Sequence, residues 1–350
     1  MYKKAALLTF YAETPIHMGS GQSVSYVDLP IQRERHTSFP VLWASGIKGV
    51  IRNLALREWN DKDKVNTIFG PDPEDASDFA SCIGITDAKI LLYPVRSVKG
   101  VFAWITCPFV LKRFKEDLKA IRRVDSKVND LVIQIPETSD NKAIIANGNL
   151  IIQEKNIVAL EEFLFEAIVD KETINLAEKL KKFIPNNDLT NGLEKHFAIV
   201  SDNVFKDFVN YAVEIRTRIR IDQAKGTVKE GALFSEELVP SESVFYSLVF
   251  ITDPYFGIEM DLYNELKSKE EKNEKPDWDA VKNRLKGSED AKKKVLERLK
   301  KAWEGGYFLD DEIKNSLKFL DNSLPQLGGD ETIGRGIVRV KFYSLQGGWK

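Results

Sequence analysis

Residues 213–221 alternate without a break. Val213, Ile215, Thr217, Ile219 and Ile221 share one parity, and Glu214, Arg216, Arg218 and Arg220 share the other. Only an extended strand sorts such a set onto two faces, because successive side chains of a strand point opposite ways. The pattern predicts a strand buried on its apolar face and solvated on its charged face. A glycine-bearing hairpin candidate follows at 226–231, and 245–251 reads as another strand.

The remaining segments suggest what surrounds that strand. Residues 5–13 form an apolar first strand that stops at Thr14-Pro15, before a long polar loop running from His17-Met18-Gly19-Ser20-Gly21 to Phe39-Pro40. Helical spacing then begins, with Ile47, Val50, Ile51 and Leu54 at i, i+3, i+4 and i+7 and Ser45 as the expected N-cap. Phe69-Gly70-Pro71-Asp72-Pro73 is a turn, and 82–94 reads as one strand or two. Such a β–loop–α–β opening is typical of ferredoxin-like α+β modules. The stretch 115–210 is expected to be mainly helical. Residues 259–305, dense in Lys and Glu, read as a solvated helical insertion, and 311–320 as one more helix. A glycine-rich loop at 328–336 leads into a last strand at 337–343.

Overall charge says little about partners. The chain of 350 residues carries 51 Lys and Arg against 53 Asp and Glu, which is not the basic excess common in nucleic-acid binders. The local distribution is more telling. Residues 14–57 hold the acids Asp28 and Glu34 against Arg33, Arg35, Lys48, Arg52 and Arg57, and 213–229 hold Glu214 and Asp222 against Arg216, Arg218, Arg220, Lys225 and Lys229. Two basic clusters on a near-neutral chain fit binding to a nucleic-acid backbone. The arginine face also fits a solvated strand edge. Cys82 and Cys107 stand far apart, which excludes a thiolate zinc site and a disulfide scaffold and suits a reducing cytoplasm. No export signal and no membrane-spanning run is expected.

Individual residues suggest chemistry. Lys48 and Arg52 share one face of the helix after Ser45, and the N–H groups at its start suit a phosphate, although an ordinary solvated helix face reads the same way. Gly46 and Gly49 cost that helix about 1 kcal/mol each against alanine, which suggests a close approach to its backbone. Gly329 and Gly334 have Walker A spacing, but Arg335-Gly336 stands where Lys-Ser/Thr is needed and a strand follows, so a nucleotide P-loop is excluded. The loop still fits either a phosphate cradle or a tight turn. Asp28 is a lone acid in a basic loop. It fits a metal ligand or a base for a 2′-hydroxyl, but the residues alone favour a turn residue or an ion pair with Arg33 or Arg35. His17 and His36 flank it, and Glu236-Glu237 follow an expected turn at 231–234.

Taken in order, these segments resemble the RAMP superfamily. Within it they resemble the fourth, backbone subunits of type III-B CRISPR Cmr effector complexes. The resemblance rests on Thr14-Pro15-Ile16-His17-Met18-Gly19-Ser20-Gly21, Val27-Asp28-Leu29-Pro30-Ile31-Gln32-Arg33-Glu34, Thr37-Ser38-Phe39-Pro40 and Ser45-Gly46-Ile47-Lys48-Gly49-Val50-Ile51-Arg52. Gly231-Ala232-Leu233-Phe234-Ser235-Glu236-Glu237-Leu238-Val239-Pro240 and the loop 328–336 complete it. Val41-Leu42-Trp43-Ala44 departs from the family's usual Pro-Gly-Ser approach to the lysine helix.

The resemblance implies an α+β fold, a modified ferredoxin-like (RRM-like) palm with a β-hairpin thumb and helical insertions. Its expected division is 1–114 for the first part of the palm, with the catalytic loop and lysine helix, and 115–210 for a helical insertion. Residues 211–255 would hold palm strands and thumb, 256–322 a charged insertion, and 323–350 the glycine-rich loop and final strand. It implies a cytoplasmic subunit that binds CRISPR RNA, stacks with copies of itself and other Cmr subunits, and has no membrane partner. Asp28 would cut bound target RNA with a divalent metal, Mg or Mn, and His17, Glu236 and Glu237 would lie near it. With the basic clusters, it nominates Ser45, Lys48, Arg52, Arg33, Arg216, Arg218, Gly334, Arg335 and Gly336 as RNA contacts. A non-catalytic RNA scaffold and a stand-alone enzyme acting on a small phosphorylated substrate are the competing readings.

Overall fold

The computed structural model describes residues 2–23, 26–72, 74, 79–126, 134–152, 156–222 and 224–343. The first half contains β1 (Lys4–Ala12), β2 (Val41–Leu42), α1 (Ala44–Trp59), α2 (Lys62–Phe69), β3 (Ile83–Ile85), β4 (Ala88–Arg96), β5 (Phe102–Thr106) and α3 (Pro108–Val124). Next come β6 (Lys142–Ile145), β7 (Ile151–Ile152), β8 (Ile157–Leu160), β9 (Phe163–Val169), α4 (Lys171–Lys181), α5 (Leu193–His196), β10 (Phe197–Ile199) and α6 (Asp202–Tyr211). The rest holds β11 (Glu214–Asp222), β12 (Thr227–Leu238), β13 (Val244–Ile251), α7 (Met260–Glu271), α8 (Trp278–Arg284), α9 (Glu289–Glu304), α10 (Asp310–Ser316) and β14 (Val338–Tyr343). The fold is mixed α+β. Pro73 of the expected turn and the end of the chain beyond Tyr343 lie outside the described residues.

One mixed sheet runs β14-β1-β13-β4-β5-β10-β6-β9-β8-β7, with β2 paired to β4 and β3 to β13. β1 is buried from Ala5 to Ala12, as a central strand covered on both faces must be. Helices α3 and α10 pack on it and on β13. In α3, Val110, Leu111, Phe114, Leu118 and Ile121 recur at helical spacing and are buried, which explains both its formation and the face it turns inward.

Three expectations need correction. The segment 115–210 holds helices, but it also supplies β6 to β10, which extend the sheet beyond β5. Strands of two to seven residues are too short for period two to stand out among helical breaks.

The alternating segment is indeed a strand, but its apolar face is not buried. Ile219 and Ile221 are 52% and 57% exposed, and Ile215, Val228 and Leu233 are exposed with them. β11 pairs with β12 alone, outside the large sheet, so among the described residues no layer covers this face. Residues 231–234, expected as a turn, lie within β12. The register shifts between Ile219, opposite Leu233, and Ile221, opposite Val228.

Candidate active site at the hairpin base

β12 pairs with β11 along one edge, and near its end the loop after β1 docks on the other. Leu29 N–H donates to the Ser235 carbonyl at 3.0 Å and Glu237 N–H to the Leu29 carbonyl at 3.0 Å. Ile16 and Val239 exchange two bonds of 2.9 Å. Backbone groups of a bare strand edge are thereby satisfied by the loop.

This docking places Asp28 and His17. The Asp28 carboxylate Oδ2 accepts from Ser235 N–H at 2.7 Å and from Ser235 Oγ at 2.9 Å, while Asp28 N–H donates to Ser235 Oγ at 3.0 Å. The side chain is exposed. Donation from the Ser235 N–H, and then from its hydroxyl, holds the carboxyl below its ordinary value, so it is ionised at neutral pH. His17 Nδ1 lies 2.8 Å from the Glu237 carbonyl. A carbonyl only accepts, so Nδ1 carries a proton in this contact. The two anchors are two residues apart on one strand edge, about 7 Å.

Glu236 and Glu237 do not join Asp28 as open acids. Glu236 is 2% exposed and pairs with Arg218 at 2.8 Å and with Arg335. Arg218 and Arg335 also reach Asp330, at 2.9 and 2.6 Å. Glu237, 3% exposed, pairs with Arg33 and accepts from Ile31 N–H at 2.9 Å. Arg33 gives its other contacts to the carbonyls of Ser38 and Val209, both at 2.9 Å. Adjacent residues of a strand face opposite sides, so each glutamate anchors a separate charge cluster. Arg33, Arg218 and Arg335, expected on RNA, thus serve acids of the chain itself, and Arg335 is buried. Arg216 is exposed, chelated by Glu214 at 2.7 and 3.0 Å.

The glycine-rich loop packs beside this base as a tight turn. Gly329 N–H donates to the His17 carbonyl and Gly336 N–H to the Pro15 carbonyl, both at 2.9 Å. At Gly336, φ is +73° and a Cβ would collide with the Leu327 carbonyl, so glycine is required. Gly334 is exposed and faces open space.

The lysine helix differs from expectation at its start. It begins at Ala44 with Trp43 as N-cap, so Ser45 does not cap it, and the Asp87 carboxylate takes the Ala44 N–H at 2.7 Å. A protein acid thus stands at the end where a phosphate was expected. Gly46 is approached by the Met18 side chain, whereas Gly49 has open space and borders a cleft of about 180 Å³ with Arg52, Asn66 and Asp72. Arg52 pairs with Asp72 at 2.7 Å. Lys48 is half-buried with Nζ 3.4 Å from the Ile83 carbonyl, and burial, followed by the nearby Arg52, lowers its pKa.

Sequence reasoning missed Ser235 and Asp330. Ser235 lies inside a quoted motif but carries no charge, and Asp330 was read only as part of a glycine-rich turn. Among the described residues no three His, Cys, Asp or Glu side chains gather as a ready metal site. No described helix is long and apolar enough to cross a membrane.

A sheet with a projecting two-stranded ribbon, clamped at its base by a glycine-rich loop and an acid-bearing loop, is the setting in which the comparisons fall. The RAMP superfamily matches residues 9–339, and the chain belongs to that superfamily. Within it, the CRISPR system Cmr endoribonuclease Cmr4 of Pyrococcus furiosus is 42% identical over 270 residues, 76% of this chain and 88% of the relative. The CMR subunit Cmr4 of Saccharolobus solfataricus is 28% identical over 256 residues, 67% and 80% of the two chains. The crystal structure of oligomeric Cmr4 from Pyrococcus furiosus superposes with a TM-score of 0.63 at 30% identity, covering 97% of this chain and 98% of that one. A type III-B Cmr-beta structure bound to cognate target RNA gives a TM-score of 0.65 at 22% identity over 97% and 98%, a likeness of fold.

Proposed function

We propose that this chain is a Cmr4-type backbone subunit of a type III-B CRISPR effector complex. It binds CRISPR RNA, stacks with further copies of itself and with other Cmr subunits, and cuts bound complementary target RNA at regular intervals. The family supports the assembly, and one observation carries the chemistry: Asp28 is an exposed, ionised carboxylate fixed to the base of a projecting ribbon, with His17 on the same strand edge.

The strand order supports a ferredoxin-like palm. In β1-α1-β4-β13-α10-β14, β13 separates β1 from β4 and β1 separates β13 from β14, the split βαβ arrangement taken twice. The β11–β12 ribbon is then the thumb. The guide selects the target by base pairing, so the protein needs to read only backbone and shape.

The residues fit a cation that RNA completes. Asp28 Oδ1 has no partner among the described residues, and Mg²⁺ is commonly held by one or two carboxylates together with phosphates and water. Bound there, Mg²⁺ or Mn²⁺ would supply Lewis acidity to the phosphate and leaving oxygen. Asp28 would hold it or take the 2′-hydroxyl proton, and His17 stands two positions along the same strand edge.

The test is a complex reconstituted with guide and target from Asp28→Ala chains. Assembly and target binding are expected to be retained and cutting lost, and full cutting would leave a non-catalytic scaffold. In the native complex, cutting that persists under chelation would assign Asp28 the base role alone.

A further inference from the structure

We propose that Ser235 is the positioning residue of the cutting site, an inference that rests on the catalytic reading of Asp28. An exposed aspartate on a loop ordinarily samples several rotamers, each placing its oxygens elsewhere. Here the Ser235 hydroxyl accepts from Asp28 N–H and donates to Asp28 Oδ2, while Ser235 N–H donates to the same oxygen. The three bonds tie backbone and carboxylate of Asp28 to one residue, so both torsions of the side chain are set. Among the described residues Oδ1 is left as the oxygen with no partner.

Ser235 is itself on a rigid element. It pairs with Thr217 in the ribbon, and its carbonyl accepts from Leu29 N–H at 3.0 Å on the other edge. The acid is therefore placed by the thumb strand rather than by its own loop, and its distance from RNA follows the ribbon. Among the described residues no cation stands in this arrangement. The donors are neutral, so they orient the carboxylate without cancelling its charge.

Complexes assembled from Ser235→Ala and Ser235→Thr chains test this. Ser235→Ala removes both hydroxyl bonds and keeps the backbone one. At saturating target we expect single-turnover cutting to slow about 10- to 100-fold, the scale of a small misplacement of a reacting group, with target affinity unchanged within about twofold. Threonine keeps the hydroxyl and suits a strand, so Ser235→Thr is expected to restore the rate to within about threefold of native, as a positioning role requires. A role in folding alone would lower assembly or affinity instead, and that result overturns the inference. Native-rate cutting by Ser235→Ala beside inactive Asp28→Ala also overturns it while leaving the catalytic reading intact. Cutting by Asp28→Ala would remove that reading itself.

Discussion

Two loops clamp the base of the β11–β12 ribbon, and they hold their acids by opposite means. On one edge the Asp28 carboxylate is exposed and, among the described residues, accepts only from the neutral donors of Ser235. On the other side Asp330 and Glu236 share Arg218 and Arg335, two acids against two bases, with Glu236 and Arg335 buried. A carboxylate paired with buried guanidinium groups has its charge matched locally and is committed to structure. One held by neutral donors keeps its charge for whatever approaches. The difference sets Asp28, the acid proposed to do chemistry, apart from Glu236 and Asp330, which arginines of the chain itself hold.

The largest effect on stability is expected where the charges are matched. Arg335→Ala would strip Glu236 and Asp330 of a buried partner and leave Glu236 dependent on the half-exposed Arg218. Removing one member of a buried pair costs about 3–5 kcal/mol, because the other charge stays buried. Urea unfolding of the isolated chain measures it. Asp28→Ala in the same assay should shift stability by about 0.5 kcal/mol or less, as for most exposed positions. If the two variants destabilise equally, the contrast between the loops is wrong.

A smaller effect should come from the backbone of the same loop. Gly336→Ala puts a Cβ on a left-handed residue facing the Leu327 carbonyl. The conformation alone costs about 1–3 kcal/mol, and the neighbouring backbone must also give way. The matching substitution at Gly334, where a Cβ would meet nothing, carries only the conformational part. Comparing the two by thermal unfolding separates crowding from strain.

Much of this was legible in the sequence, for reasons that can be named. Period two placed β11 within a residue, and the helical spacing of Ile47, Val50, Ile51 and Leu54 placed α1, because both patterns follow from local geometry. Asp28 and His17 were singled out by the family motif, and the structure sets both against one edge of β12. What stayed hidden depends on contacts between distant residues. Nothing local marks Arg335 as the partner of Glu236, 99 residues away, or Asp87 as the acid that occupies the start of α1. Ser235 was invisible for another reason: an uncharged residue beside two glutamates offers no signal until its bonds to Asp28 are seen.

The smallest effect is expected at the outer part of the ribbon, where sequence and structure disagreed most. Ile219 stands beside Leu233 across the strand pair, and both are exposed. Ile219→Thr keeps the β-branched shape and removes apolar surface that solvent already reaches, so unfolding free energy should change by about 0.5 kcal/mol or less. The measurement belongs at several protein concentrations. A loss near 2 kcal/mol, or one that grows with concentration, would mean that the face is covered in solution. The ribbon would then be a packed element at both ends, and its base would no longer be distinguished by what holds it.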